Sequence, residues 1–220
     1  MTLHPLHISP RGLARGFTLV EMLFVCIVVG VLLAVAAPVG ISVLQASGMN
    51  RATSMISDEL NMARQLAMTR NREVEVRFYK VATDATTQDL QFRAFRSFLV
   101  EGDSPENVKA LGNVQYLPES IIISADTKNS TLLDYGNPNR SGLMLFQETL
   151  PGTSSPVDCV SFIFRPNGGT NLGPIDPPEG NWYLTFHQAH AVVNVETGIP
   201  DNFCTVQIDP VSGRVRVYRP

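Results

Sequence analysis

Positive charge is in short supply in this chain: 17 lysines and arginines stand against 20 aspartates and glutamates, a formal net charge of −3. Without a global basic excess, composition gives no electrostatic footprint for nucleic acid. The signatures of common catalysts are missing too. There is no Gly-x-Ser-x-Gly elbow, no Gly-x-x-x-x-Gly-Lys-Ser/Thr phosphate loop and no Cys-x-x-Cys pair. The expectation is a protein that is not an enzyme and needs no cofactor. Cysteine is sparse as well, with three in 220 residues, so the fold cannot lean on a disulfide framework. Acidic residues are absent before Glu21, whereas Arg11 and Arg15 lie upstream of it.

Directly after Glu21 comes an apolar run of 18 residues, Met22 to Val39. At about 1.5 Å per residue it is roughly 27 Å long as a helix, close to the 30 Å or so of a hydrocarbon core. Arg11 and Arg15 retain the N-terminus in the cytoplasm and send the C-terminal bulk across the membrane. An ionisable group at the mouth of such a run is costly unless paired, so Glu21 reads as a functional residue with a partner. A competing reading is a secretory signal cut at Ala34-Val35-Ala36. Its apolar region would exceed the usual 7–15 residues or so and would contain Glu21. An uncleaved anchor leaves both Glu21 and the Gly16-Phe17 junction without a reason.

The segment Arg15-Gly16-Phe17-Thr18-Leu19-Val20-Glu21 resembles the N-terminus of type IV prepilins and pseudopilins. Their leader ends in glycine, and their mature chain begins with an N-methylated phenylalanine. The resemblance implies cleavage after Gly16 by a prepilin peptidase, methylation of Phe17, and assembly with other pilins through the N-terminal helix. Gly30 and Pro38 also fall where the family commonly has those residues. In this reading the Phe17 amine neutralises Glu21 of a neighbouring subunit, removing two unpaired charges from lipid in one contact. Loss of Arg11 and Arg15 with the leader takes the formal charge from −3 to −5.

Past the membrane segment, helical spacing continues from Ile41 to about Arg70 through Leu44, Met55, Ile56, Leu60, Ala63, Leu66 and Ala67. Pro38 predicts a break or kink, and Gly48 with its serine-rich surroundings predicts a bend or frayed turn at 46–50. After Asn71 the period becomes two. Val74, Val76 and Phe78 alternate with Glu73, Glu75, Arg77 and Tyr79, as in a half-buried strand. Further strands are expected at Leu90–Val100, Ile121–Ser124, Leu143–Phe146, Val160–Phe164, Trp182–Phe186, Ala191–Val195, Thr205–Ile208 and Arg214–Tyr218. Their close spacing favours antiparallel pairing, and Pro166–Asn181 reads as a long surface loop.

The expected fold is thus α+β and pilin-like. A leader spans residues 1–16, the transmembrane half of a long helix 17–40, its amphipathic half 41–70, and an antiparallel β domain 71–220. Phe164-Arg165-Pro166-Asn167-Gly168-Gly169 and Ile208-Asp209-Pro210-Val211-Ser212-Gly213-Arg214-Val215-Arg216 resemble the GspH/FimT-like minor pseudopilins. Thr69 to Tyr79 is similar to the pilin-like Verru_Chthon cassette protein D family. The implied place is the inner membrane, single-pass, with the globular domain in the periplasm and the assembled subunit in a pilus or pseudopilus.

Other sites are weaker. Some FimT-like pseudopilins use a C-terminal Gly-Arg-x-Arg motif to bind DNA, which marks Arg214, Arg216 and nearby Arg219 as an alternative DNA-binding face. Their bland reading is the charged protection of an edge strand. Cys159 and Cys204 could close a disulfide in an oxidising compartment if their Cα atoms come within about 7 Å, and two buried thiols are the equal alternative. His187 and His190 point to opposite faces if the segment is a strand, so no metal site is expected there. The aspartates and asparagines between Asp126 and Asn139 match no calcium-loop spacing and read as turns.

Overall fold

The computed structural model describes residues 17–82, 89–102, 107–153, 155–175, 180–196 and 198–219, with the backbone alone described for 35–45. The expected leader, residues 1–16 with Gly16 at its end, lies outside them. The chain divides into two units, Met1–Val43 and Leu44–Pro220.

In the first unit the structure is helical from Leu19 onward. This helix, α1, covers Leu19–Arg70 and so continues into the second unit, with no interruption assigned at Pro38 or Gly48. Of the expected break or kink at Pro38, the break is not seen: the helix assignment runs through the proline. Side chains from Leu19 to Ala34 are exposed. Among the described residues no helix is long and apolar enough to cross a membrane. The described side chains stop at Ala34, and the expected span Met22–Val39 runs past them.

In the second unit the helix buries one stripe, Met49, Ala52, Ile56, Leu60, Ala63 and Ala67, each 3% exposed or less. The frayed turn expected at 46–50 is absent. Burial of Met49 and Ala52 outweighs the helix cost of Gly48, about 1 kcal/mol, and Thr53 Oγ1 adds a 2.8 Å bond to the Met49 carbonyl. The helix stops because Asn71 turns left-handed, at φ 49°. The Arg72 N–H then closes back on the Ala67 carbonyl at 3.2 Å, the six-to-one bond of a Schellman cap.

Beyond the helix the described residues form ten strands: β1 Val74–Ala82, β2 Leu90–Val100, β3 Val108–Ala110, β4 Gln115–Tyr116, β5 Ile121–Ile123, β6 Met144–Glu148, β7 Val157–Phe164, β8 Trp182–Gln188, β9 Phe203–Ile208 and β10 Val215–Tyr218. They form one sheet in the order β10-β9-β8-β5-β2-β1-β7-β6, with β3 and β4 also on β2. Every pairing is antiparallel. The helix stripe packs on one sheet face, against Val74, Val76, Phe78, Phe162, Phe164, Trp182, Leu184 and Val206 in a single core. The architecture is α+β, the amphipathic half of the helix lying on an antiparallel sheet.

Three expectations are corrected, and two short strands that the sequence did not suggest are added. Ala191–Val195 is not a strand. Asn194 organises a tight turn there, its Oδ1 accepting from the Glu196 N–H and its backbone bonding Gly198 and Ile199, and among the described residues no strand pairs with this segment. Strands β3 and β4, of three and two residues, are too short to print an alternation. Glu75, Arg77 and Tyr79 are buried rather than solvent-facing, at 3%, 8% and 0% exposed, because Tyr79 packs with Phe146 of β6 and Val114 in a second small core. The Pro166–Asn181 loop is not wholly superficial: Gly168, Gly169, Thr170 and Leu172 are buried.

Candidate functional site

The N-terminal segment is built around Thr18. Its carbonyl accepts the first helical bond, from the Met22 N–H at 3.1 Å, and its Oγ1 accepts from the Glu21 N–H at 3.2 Å. Thr18 is thus the N-cap of α1 and Glu21 is the third helical residue. A carboxylate there faces the positive end of the helix dipole. The pattern Thr-x-x-Glu is a capping-box signature. It was present in the sequence and identifies Thr18, which the charge-based reading of Glu21 passes over. Phe17 precedes the cap and is 67% exposed, open to modification and contact. Gly16, and with it the expected cleavage point, lies outside the described residues.

At the far end of the helix, the two glycine-rich motifs meet. Arg64 Nε donates to the carbonyls of Gly168 at 3.1 Å and Ser212 at 2.8 Å, so one helix side chain clasps both turns. Asp209 Oδ1 accepts from the Val211 and Ser212 N–H groups, each at 2.9 Å. The Ser212 bond is the main cause of a pKa held below the usual carboxylate value. Gly213 sits at φ +62°, and a Cβ there would overlap the Gly168 carbonyl oxygen. The Gly-Arg-x-Arg glycine is therefore required by packing.

Of the arginines after it, Arg214 and Arg216 are exposed and share a shallow polar hollow with Asp209, Gln207 and Asn181. The charge of Arg216 also helps to lower the pKa of Asp209. Arg219 Nη1 donates to Asn50 Oδ1 on the helix. An aspartate beside the pair and a helix partner for Arg219 are arrangements a solvated edge strand explains. Nothing here supports DNA binding.

The third cluster lies on the sheet face turned away from the helix. Arg77 Nη2 pairs with Glu75 at 2.6 Å and Nη1 with Glu148 at 2.8 Å. The guanidinium lies 4.1 Å from the Phe98 ring centroid and 4.6 Å from that of Phe146. Tyr79 donates its hydroxyl to the same Glu148 oxygen at 2.9 Å. Burial opposes the charge on Arg77, but the two carboxylates outweigh it and hold its pKa above the ordinary value. Burial, reinforced by the neighbouring negative groups, raises the pKa values of Tyr79 and Cys159. Alternation placed these residues on one strand face. What it could not show was that β6, distant in sequence, covers them.

Cys159 and Cys204 are free and buried. They lie on β7 and β9 with β1, β2, β5 and β8 between them, about 24 Å apart along the sheet at roughly 4.8 Å per strand. The disulfide is corrected to two separate thiols. Cys204 Sγ instead donates to the Tyr218 carbonyl at 3.3 Å. His187 is buried with Nδ1 2.9 Å from the Gln188 carbonyl, and His190 is exposed. Among the described residues no group of His, Cys, Asp and Glu could hold a metal. Between Asp126 and Asn139, Asp126 Oδ1 accepts from the Lys128 N–H and Asp134 pairs with Arg140 at 2.6 Å.

The N-terminal segment is thus a helix capped at Thr18 with Glu21 in its first turn, leading into an α+β domain. Residues 11–37 match the family described as the prokaryotic N-terminal methylation motif. Among solved structures, the chain is similar to the minor pseudopilin EpsH from the Type 2 Secretion System of Vibrio cholerae. Identity is 10%, covering 78% of this chain and 97% of that one, with a TM-score of 0.41. No curated protein matches the chain.

Proposed function

We propose that this chain is a minor pseudopilin or pilin-like structural subunit of a type IV pilus or type II secretion pseudopilus. The observation that carries the reading is the methylation motif over residues 11–37, together with Glu21 in the first turn of the helix behind exposed Phe17. A prepilin peptidase cuts after Gly16 and methylates Phe17. The first part of the helix is held in the inner membrane and the globular domain lies in the periplasm. Other pilins pack on the helix, and the Phe17 amine of one subunit meets Glu21 of the next. The role is structural and not catalytic.

Mass spectrometry of the native N-terminus tests the processing. Methylated Phe17 is the expected first residue; intact Met1, or Ala37 first, overturns the reading. The charge pair is tested by Glu21→Val in a pilus or secretion assay. Incorporation should fall by about tenfold or more, equivalent to roughly 1.4 kcal/mol, while circular dichroism of the exported domain stays unchanged. Glu21→Gln separates charge from capping, because it keeps the side chain that closes a capping box. It should assemble as poorly as Glu21→Val.

A further inference from the structure

We propose that the groove on the helix-distant face of the sheet, beside the free edge of β6, is a docking site for an extended segment of a neighbouring subunit that presents a lysine or arginine. The groove holds about 430 Å³. Its walls are apolar, with Val100 and Val108 on one side, Met144 and Phe146 on the other, and Ile163 below. Its charged groups are Glu75, Arg77 and Glu148, two carboxylates to one guanidinium. Both Arg77 Nη groups are engaged by those carboxylates, so the groove has acceptors to offer.

Glu148 is the acceptor within reach. Its Oε2 receives Arg77 and Tyr79, which fixes the carboxylate, and its side chain retains 24% exposure. A cation reaching it must pass apolar walls. That requirement selects a charged head on a long aliphatic stem, as in lysine and arginine, over a compact ion. The geometry of delivery is also present. Strand β6 ends the sheet, pairing with β7 alone, so among the described residues its outer backbone groups have no strand partner. An added strand would place a side chain opposite Glu148 at the usual cross-strand spacing of about 5 Å. Leu145, 47% exposed on β6, gives the added strand an apolar contact on the opposite face.

The inference deepens the assembly reading by naming a contact for the exported domain, and its test stands apart from the Glu21 assay. The full chain, leader removed, in dodecyl maltoside is titrated with the peptide acetyl-Thr-Val-Lys-Val-Thr-amide while methyl resonances are followed by NMR. Methyls of Val100, Val108, Met144 and Ile163 should shift. Affinity should drop by about tenfold or more when the peptide lysine is replaced by norleucine or glutamate, as expected for loss of a partly desolvated charge pair. Glu148→Gln should erase the preference for lysine. Val108→Trp, which fills the groove and leaves the ion network intact, should abolish binding. Shifts confined to other regions, equal binding of the three peptides, or no binding at millimolar peptide would overturn the site, whatever Glu21→Val does to assembly.

Discussion

Individual residues here divide by how far their roles reach in sequence. Thr18 and Glu21 act within one helical turn, and the sequence alone is enough to find both. Cys159 and Cys204 show the opposite case: their sequence neighbours do not decide between a bond and two thiols, and strand order, a property of the whole sheet, keeps them apart. Intact-mass analysis of residues 44–220 should therefore show no 2 Da gain on reduction, as the absence of a disulfide requires. Both thiols should resist iodoacetamide in the native state and react fully in guanidinium. The pH dependence rests on residues of the same kind. Tyr79 and Cys159 have folded pKa values above their unfolded ones, so their contribution is whole below about pH 8.5 and declines as pH rises past the unfolded thiol and phenol values. Asp209 is shifted downward. Its contribution is present above about pH 4 and is lost as pH falls through the lower folded value. Urea melts at pH 7 and pH 10 should show the alkaline loss, and Cys159→Ala should lessen it.

At the scale of elements, legibility tracked length and locality. β2 appeared in the sequence with the bounds the structure has, Leu90–Val100, because a long run rich in aromatic and aliphatic residues reads as a strand even where its alternation lapses. The end of α1 was legible too, since Asn71 is a residue type that tolerates the left-handed turn. Ala191–Val195 misled because valines carry strand propensity without having a partner strand to pair with. The two glycine-rich motifs stand out in the sequence, yet what ties them together is Arg64, more than 100 residues earlier and bonded to both. Gly213→Ala tests that clasp. A left-handed backbone and a carbonyl overlapping the new Cβ should destabilise the domain by roughly 3 kcal/mol. Arg64→Ala should cost less, about 1–2 kcal/mol, for the loss of two partly buried bonds. Thermal melts of the two variants, read together, would rank backbone fit above side-chain clasping.

For the molecule as a whole, the described core runs from Met49 to Ile208 and so lies within the second unit. A fragment comprising residues 44–220 should fold by itself and unfold in one cooperative transition, and Leu60→Ala should lower its stability by about 2–5 kcal/mol. A broad, noncooperative melt of the fragment would show that the N-terminal segment contributes to the core. The sequence conveyed the class of fold, since a helical period giving way to a period of two survives without knowledge of contacts. It could not convey strand order, on which the separation of the cysteines and the burial of Arg77 both depend. Finally, the bond between Arg219 and Asn50 brings the last strand back to within a few residues of where the second unit begins. The unit is therefore a loop whose entrance and exit share one doorway. Chain ends opened at a distant turn, with Asn50 and Arg219 bridged by a short linker, should leave the sheet intact.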